Sequence, residues 1–106
     1  MRKGVMLVRT GPSDPSREDE YNDWYTNTHI PQVCEVPGIT GARRYKLHDA
    51  AAGEGPAYLA IYDLEADDLA EPMRELRARS ASGQMDMSDV LRLDPPPVVT
   101  VCELIE

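Results

Sequence analysis

Tyr21, Trp24, Tyr25, Thr28 and His29 recur at the i, i+3, i+4, i+7, i+8 spacing of one helix face. Imidazole has an ordinary pKa of about 6.5, so it can take and return a proton near neutral pH. His29 is therefore the candidate general acid or base. Tyr25, one turn earlier, could orient it or bind a developing oxyanion, and Tyr45 offers a second phenol for that task. Tyr21 and Trp24 would form a flat wall for an aromatic or polyene substrate. Arg43 or its neighbour Arg44, if aimed into a cleft, could hold a carboxylate or enolate through forked donors. Arg43 is the candidate of the two, and Tyr62 would bring a further phenol to the substrate. A plainer use stands beside each of these. His29 could cap its helix or bond a backbone carbonyl, with Trp24 and Tyr25 as core. At least one arginine could be solvated edge charge. Tyr45 and Tyr62 could simply pack in a sheet, which is the commoner use of strand aromatics.

The elements that must position these groups follow from periodicity and punctuation. KGVMLVRT, residues 3 to 10, reads as a first strand, and GPSDPSR as a loop in which Asp14 or Ser16 caps the next helix. That helix should run from about Arg17 to Thr28 or His29 and then break or kink. Pro31 lacks a backbone donor and disfavours helical geometry at Ile30, which leaves the imidazole at a reachable helix end. PQVCEV forms a short turn that packs Val33 and Cys34 inward, closed by Pro37-Gly38. A second strand spans residues 39 to 48. Strict alternation puts Ile39, Gly41, Arg43, Tyr45 and Leu47 on one face, and the more polar Thr40, Ala42, Arg44, Lys46 and His48 on the other. Residues 49 to 56 are a Gly-rich connection to a third strand over residues 57 to 65. A second helix over residues 67 to 80 turns Leu69, Met73 and Leu76 inward, with Pro72 tolerable only near its first turn. Residues 81 to 97 are irregular, either a lid over a cleft or a plain connector. Residues 98 to 105 form the last strand.

The order is β-α-β-β-α-β, an α+β, ferredoxin-like arrangement: a four-stranded antiparallel sheet with two helices on one face, in one domain over residues 1–106. The bare sheet face should pair with a second copy, closing two sheets into an α/β barrel and burying an apolar patch.

The run YNDWYTNTHIPQVCEVPGITGARRY resembles the first helix and second strand of the dimeric α/β-barrel superfamily, in particular its EthD-like and related small cofactor-free branches. The pattern W-Y-x(3)-H-x-P, then V-P-G, then a strand aromatic is matched by Trp24, Tyr25, His29, Pro31, Val36, Pro37, Gly38 and Tyr45. The resemblance implies the fold over nearly the whole chain and a functional role for a histidine at this helix end. It does not choose among isomerases, lyases, cyclases, cofactor-free monooxygenases, haem enzymes and members without known activity.

Composition narrows the rest. With 106 residues the chain buries roughly 65% of its unfolded surface. The net charge of −8 repels nucleic acid and anionic membranes. No apolar window reaches a membrane span, and the run after Arg2-Lys3 is too short for a signal peptide. Cys34 and Cys102 show no metal spacing and suit a reducing, cytoplasmic setting. There is no nucleotide-binding, zinc or nucleophile-elbow motif, so no metal and no cofactor are expected. The expected partners are a small-molecule substrate and a second copy of the chain. The function expected is a cofactor-independent enzyme acting on a small hydrophobic or aromatic substrate, polyketide-like or enolisable, by His-mediated proton transfer, such as a cyclase, isomerase or lyase. The alternatives are a non-catalytic binding protein, or a cofactor-free or haem monooxygenase. Haem comes last, because no second histidine is placed to assist it.

Overall fold

The computed structural model describes residues 1–48, 58–94 and 96–105. The expected connection over residues 49–56 and the start of the third strand at Ala57 lie outside them. Four strands form one antiparallel sheet: β1 (Arg2–Thr10), β2 (Ile39–Lys46), β3 (Tyr58–Ala66) and β4 (Val98–Glu103), in the spatial order β2-β3-β1-β4. The helical layer consists of a 3₁₀ turn (Pro15–Arg17), α1 (Glu18–Trp24), a π-helical segment (Tyr25–His29), α2 (Ile30–Val33) and α3 (Ala70–Ala81). This is the expected ferredoxin-like fold.

Register decides which side chains meet the helices. Met6 lies opposite Tyr62, Val8 opposite Ala60 and Thr10 opposite Tyr58, and all six are buried on the helix side. Leu7 opposite Ile61 and Val5 opposite Asp63 turn to the other, uncovered face. β4 lies at the sheet edge and is exposed along its whole length.

Two expectations fail here, each for a local reason. The first concerns β2. Ile39 pairs with Leu64 but Gly41 pairs with Asp63, so Thr40 is an extra residue in a β-bulge. One inserted residue reverses the facing of everything beyond it. Ile39 is buried on the helix side, but its companions there are Ala42 and Arg44. Arg43 and Tyr45 are turned to the uncovered face, opposite Ile61 and Leu59.

The second concerns the first helix, which does not break at Pro31. The amide of Ile30 donates to the carbonyl of Tyr25, five residues back, and the helix continues to Val33. In a regular α-helix the proline ring collides with the carbonyl four residues before it. Widening the turn in front of Pro31 gives that ring room. The helix ends at Val33, and the turn after it closes at Val36-Pro37-Gly38, where Gly38 adopts a φ of 95° that residues with a side chain rarely take. A β-carbon there would also lie 2.7 Å from Cγ of Pro72, which is buried in the first turn of α3. This close approach docks α3 against the start of β2.

Candidate active site

Between the helical layer and the sheet lies a cavity of about 280 Å³. Its walls are mainly apolar, with Met6 and Val8 of β1, Val33 of α2, Met73 and Leu76 of α3, and Leu91. Polar groups enter from Thr10, Tyr25, His29, Tyr62, Arg77 and Ser80. An apolar chamber with a few convergent polar groups is the usual form of a small-molecule site.

The π segment sets the geometry around His29. In an α-helix a residue five positions on lies about 140° round the axis. The wider turn brings Trp24 and His29 into a stack instead, with ring centroids 4.8 Å apart and planes 20° from parallel. Tyr25 meets the same imidazole edge-on at 4.9 Å. Such wide turns recur at functional sites. His29 Nδ1 is buried and has no hydrogen-bond partner among the described residues. Burial among the rings lowers the His29 pKa to about 4, so the imidazole is neutral at physiological pH.

Tyr62 of β3 donates a hydrogen bond of 3.1 Å to the Tyr25 oxygen. Accepting that bond leaves the Tyr25 proton available to donate elsewhere, and polarises it. Burial pushes the Tyr25 phenol up to about 12. It raises the Tyr62 phenol as well, and the neighbouring Tyr25 adds to the effect. Both stay protonated and can act as donors. Tyr21 is fully buried, bonds the Thr10 hydroxyl, and is likewise raised by burial.

Arg44 stands behind this tyrosine group. Its guanidinium carbon is 4.6 Å from the centroid of Tyr25, 5.3 Å from Tyr21 and 5.4 Å from Tyr58. It donates to Thr26 Oγ1 at 3.1 Å and to Asn22 Oδ1 at 3.0 Å. A cation on the ring faces favours the phenolate form, so Arg44 partly opposes the effect of burial on Tyr21, Tyr25 and Tyr62.

Of the residues singled out in the sequence, the fold thus brings together Tyr21, Trp24, Tyr25, His29 and Tyr62, but only Tyr25, His29 and Tyr62 line the chamber; Tyr21 and Trp24, expected as a wall for the substrate, pack behind them. It does not bring Arg43 and Tyr45 to them. Arg43 pairs with Asp63 at 2.9 Å on the opposite face, and Tyr45 is half exposed there. Thr10, Arg44, Arg77 and Ser80 join the group instead. For Arg44 the signal was Gly41, because a glycine inside a strand often marks a bulge. For Arg77 and Ser80, three residues apart on α3, helical spacing was a weak pointer.

Residues 82–94 cover one side of the chamber and are tied down. Trp24 Nε1 donates to the Asp86 carbonyl at 3.2 Å, and the Asp86 amide donates to Gln32 Oε1 at 2.8 Å. Further along, the Ser13 amide bonds the Val90 carbonyl and the Arg92 amide bonds the Gly11 carbonyl. Among the described residues there is no cluster of potential metal ligands. No helix of the described residues is long and apolar enough to cross a membrane.

The family model described as a domain of unknown function, DUF4286, matches residues 10–79, well over half of the chain. The chain belongs to the DUF4286 family. The matched region of this DUF4286 domain holds Tyr21, Trp24, Tyr25, His29, Arg44, Tyr62 and Arg77. No curated protein matches it. Among solved structures, an EthD family protein of Bacillus halodurans C-125 superposes with a TM-score of 0.62. The two are 18% identical, and the alignment covers 99% of this chain and 100% of the other. HapK of Hahella chejuensis superposes at 0.50 with 11% identity, over 94% of this chain and 90% of its own. At such identities the likeness is one of fold, and it places the DUF4286 chain in the expected ferredoxin-like, EthD-type architecture.

Proposed function

We propose that this protein binds a small, largely apolar or aromatic molecule in the chamber between its helices and sheet. His29 moves a proton on that molecule without a cofactor. One observation carries the reading: a neutral imidazole, its buried Nδ1 without a partner among the described residues, lines an apolar cavity beside the Tyr25–Tyr62 hydroxyl pair. An imidazole that served only to fill the core would have that nitrogen bonded.

The chemistry follows from the charges. Neutral His29 accepts a proton from an acidic C–H or O–H of the bound molecule, leaving an enolate or phenolate. Tyr25, polarised by Tyr62 and backed by the Arg44 cation, donates to the oxyanion. The imidazolium and oxyanion then stabilise each other in a low-dielectric site, which raises the basicity of His29 at the moment it is needed. The proton returns at another atom, so enolisation, isomerisation, cyclisation or elimination can each be served. The second copy of the chain would pack on the uncovered sheet face, and the two free cysteines suit a reducing cytoplasm.

A non-catalytic binding protein is the second reading, favoured by the same low basicity, since a base of pKa about 4 has little driving force before an anion forms. Deuterium exchange separates the two. Enolisable aryl ketones and β-diketones are incubated with the protein in D₂O, and label entering the acidic C–H position is followed by NMR. Catalysis predicts exchange above the buffer rate, falling by about 10² to 10⁴ in His29→Gln. Ligands that bind yet exchange no faster than in buffer leave the protein a carrier.

A further inference from the structure

Charge is distributed unevenly around the chamber. Among the described residues that line it, Arg77 is the only one charged at neutral pH, His29 being neutral, and no carboxylate is present. The neighbouring arginines of α3 are all engaged. Arg74 lies 3.6 Å from Asp68 and 4.0 Å from Glu71, and Arg79 lies 2.9 Å from Glu75. Arg77 has no ionic or hydrogen-bond partner among the described residues. Arg77 is exposed, so its guanidinium stands at the mouth of the chamber, where the head of a ligand could reach it from solvent. Its place in the later half of α3 suits the helix dipole, but the dipole favours a cation on any side of the helix and does not select the cavity side.

From this arrangement we infer that the chamber's ligand is a small amphiphilic monoanion, an apolar body with one carboxylate that binds Arg77. The inference rests on the chamber being a ligand site, and it specifies the class of molecule. The apolar body lies against Met6, Val8, Val33, Met73, Leu76 and Val99. The carboxylate takes the planar fork of Arg77, which matches two oxygens at once. Ser80, three residues further along the helix, also lines the chamber, but its hydroxyl donates to the Met85 sulfur at 3.6 Å, so Arg77 is the group that takes the carboxylate. The protein's overall negative field repels anions in general. A local unpaired cation at an apolar chamber therefore admits an acid only when the rest of the molecule can be buried.

A matched pair of two-ring probes tests this on the intact protein: 2-naphthoate against 2-naphthamide, alike in shape and different in charge. Binding is measured by calorimetry at low salt, and the His29 ring protons are followed by NMR to locate the ligand. The expected result is that naphthoate binds about tenfold more tightly, moves the His29 signals, and loses that margin in Arg77→Gln while naphthamide binds as before. Arg77→Lys should keep part of the margin, because the charge remains without the fork. In the unaltered protein, raising the salt to about 0.5 M should shrink the margin, which checks the charge effect without any substitution. Equal binding of the two probes, or a margin that survives Arg77→Gln, overturns the assignment to Arg77 while leaving the chamber as a ligand site. Failure of both probes to bind, or binding that leaves the His29 signals unmoved, overturns the chamber reading and the inference together.

Discussion

Burial holds His29 in its neutral form, and that has a consequence for stability as well as for chemistry. With a folded pKa of about 4 and an unfolded value of about 6.5, the unfolded chain binds the proton first as pH falls. The contribution of His29 is thus undiminished above pH 6.5, declines as pH falls from about 6.5 to 4, and is constant below. His29→Gln has no such group, so relative to the unaltered protein it should gain about 2 kcal/mol between pH 7 and pH 5. Urea melts of both proteins at the two pH values measure this. A His29 NMR titration with its midpoint near 4 should accompany it, whereas a midpoint near 6.5 would mean that the ring is solvated.

At the scale of elements, the first helix and the segment over residues 82–94 form one unit. The π turn stacks Trp24 on His29, and the same Trp24 uses its indole N–H to hold the Asp86 carbonyl. Gln32 of α2 holds the Asp86 amide, so the cover of the chamber is fastened at both sides of Asp86 by side chains about two turns apart on one helix. Gln32→Ala should lower stability by about 1 kcal/mol, the usual worth of such a bond. Hydrogen exchange should then quicken at the Asp86 amide while the amides of β1 and β3 stay protected. An unchanged rate at Asp86 would show that Gln32 is not what holds the cover in place.

For the whole molecule, the uncovered sheet face is the feature that a single chain leaves open. Val5, Leu7, Leu59 and Ile61 lie on it half-buried, and Val98 and Tyr45 are about half exposed. Arg43 and Asp63 pair across two strands on this face, and by register Lys3, Arg9 and Glu65 share it, so charges surround its apolar centre. A second copy packed there would bury the patch and give the two exposed tyrosine and valine positions a partner. Sedimentation should therefore give twice the chain mass at about 50 µM, and Ile61→Glu, at the centre of the face, should give the single-chain mass with the His29 titration unchanged. A single-chain mass for the unaltered protein would rule out the pairing.

Much of this was legible in the chain itself. Period-two strands, a ring-bearing helix face and the Val-Pro-Gly stop specify the element order, because each depends on residues close in sequence. So do the membership of Tyr21, Trp24, Tyr25 and His29 in one group and the inward stripe of Leu69 and Met73. Two features needed the tertiary structure. The bulge at Thr40 is settled by how β2 registers on β3, twenty residues away, and it alone exchanges Arg44 for Arg43 behind the tyrosines. The π turn exists because a helix that carries Pro31 must still reach Val33 in the core, and it alone brings Trp24 over His29. A one-residue slip is cheap locally and is decided by what the far side of the core will accept, so the side of a sheet or helix that a residue finally faces belongs to the assembled molecule.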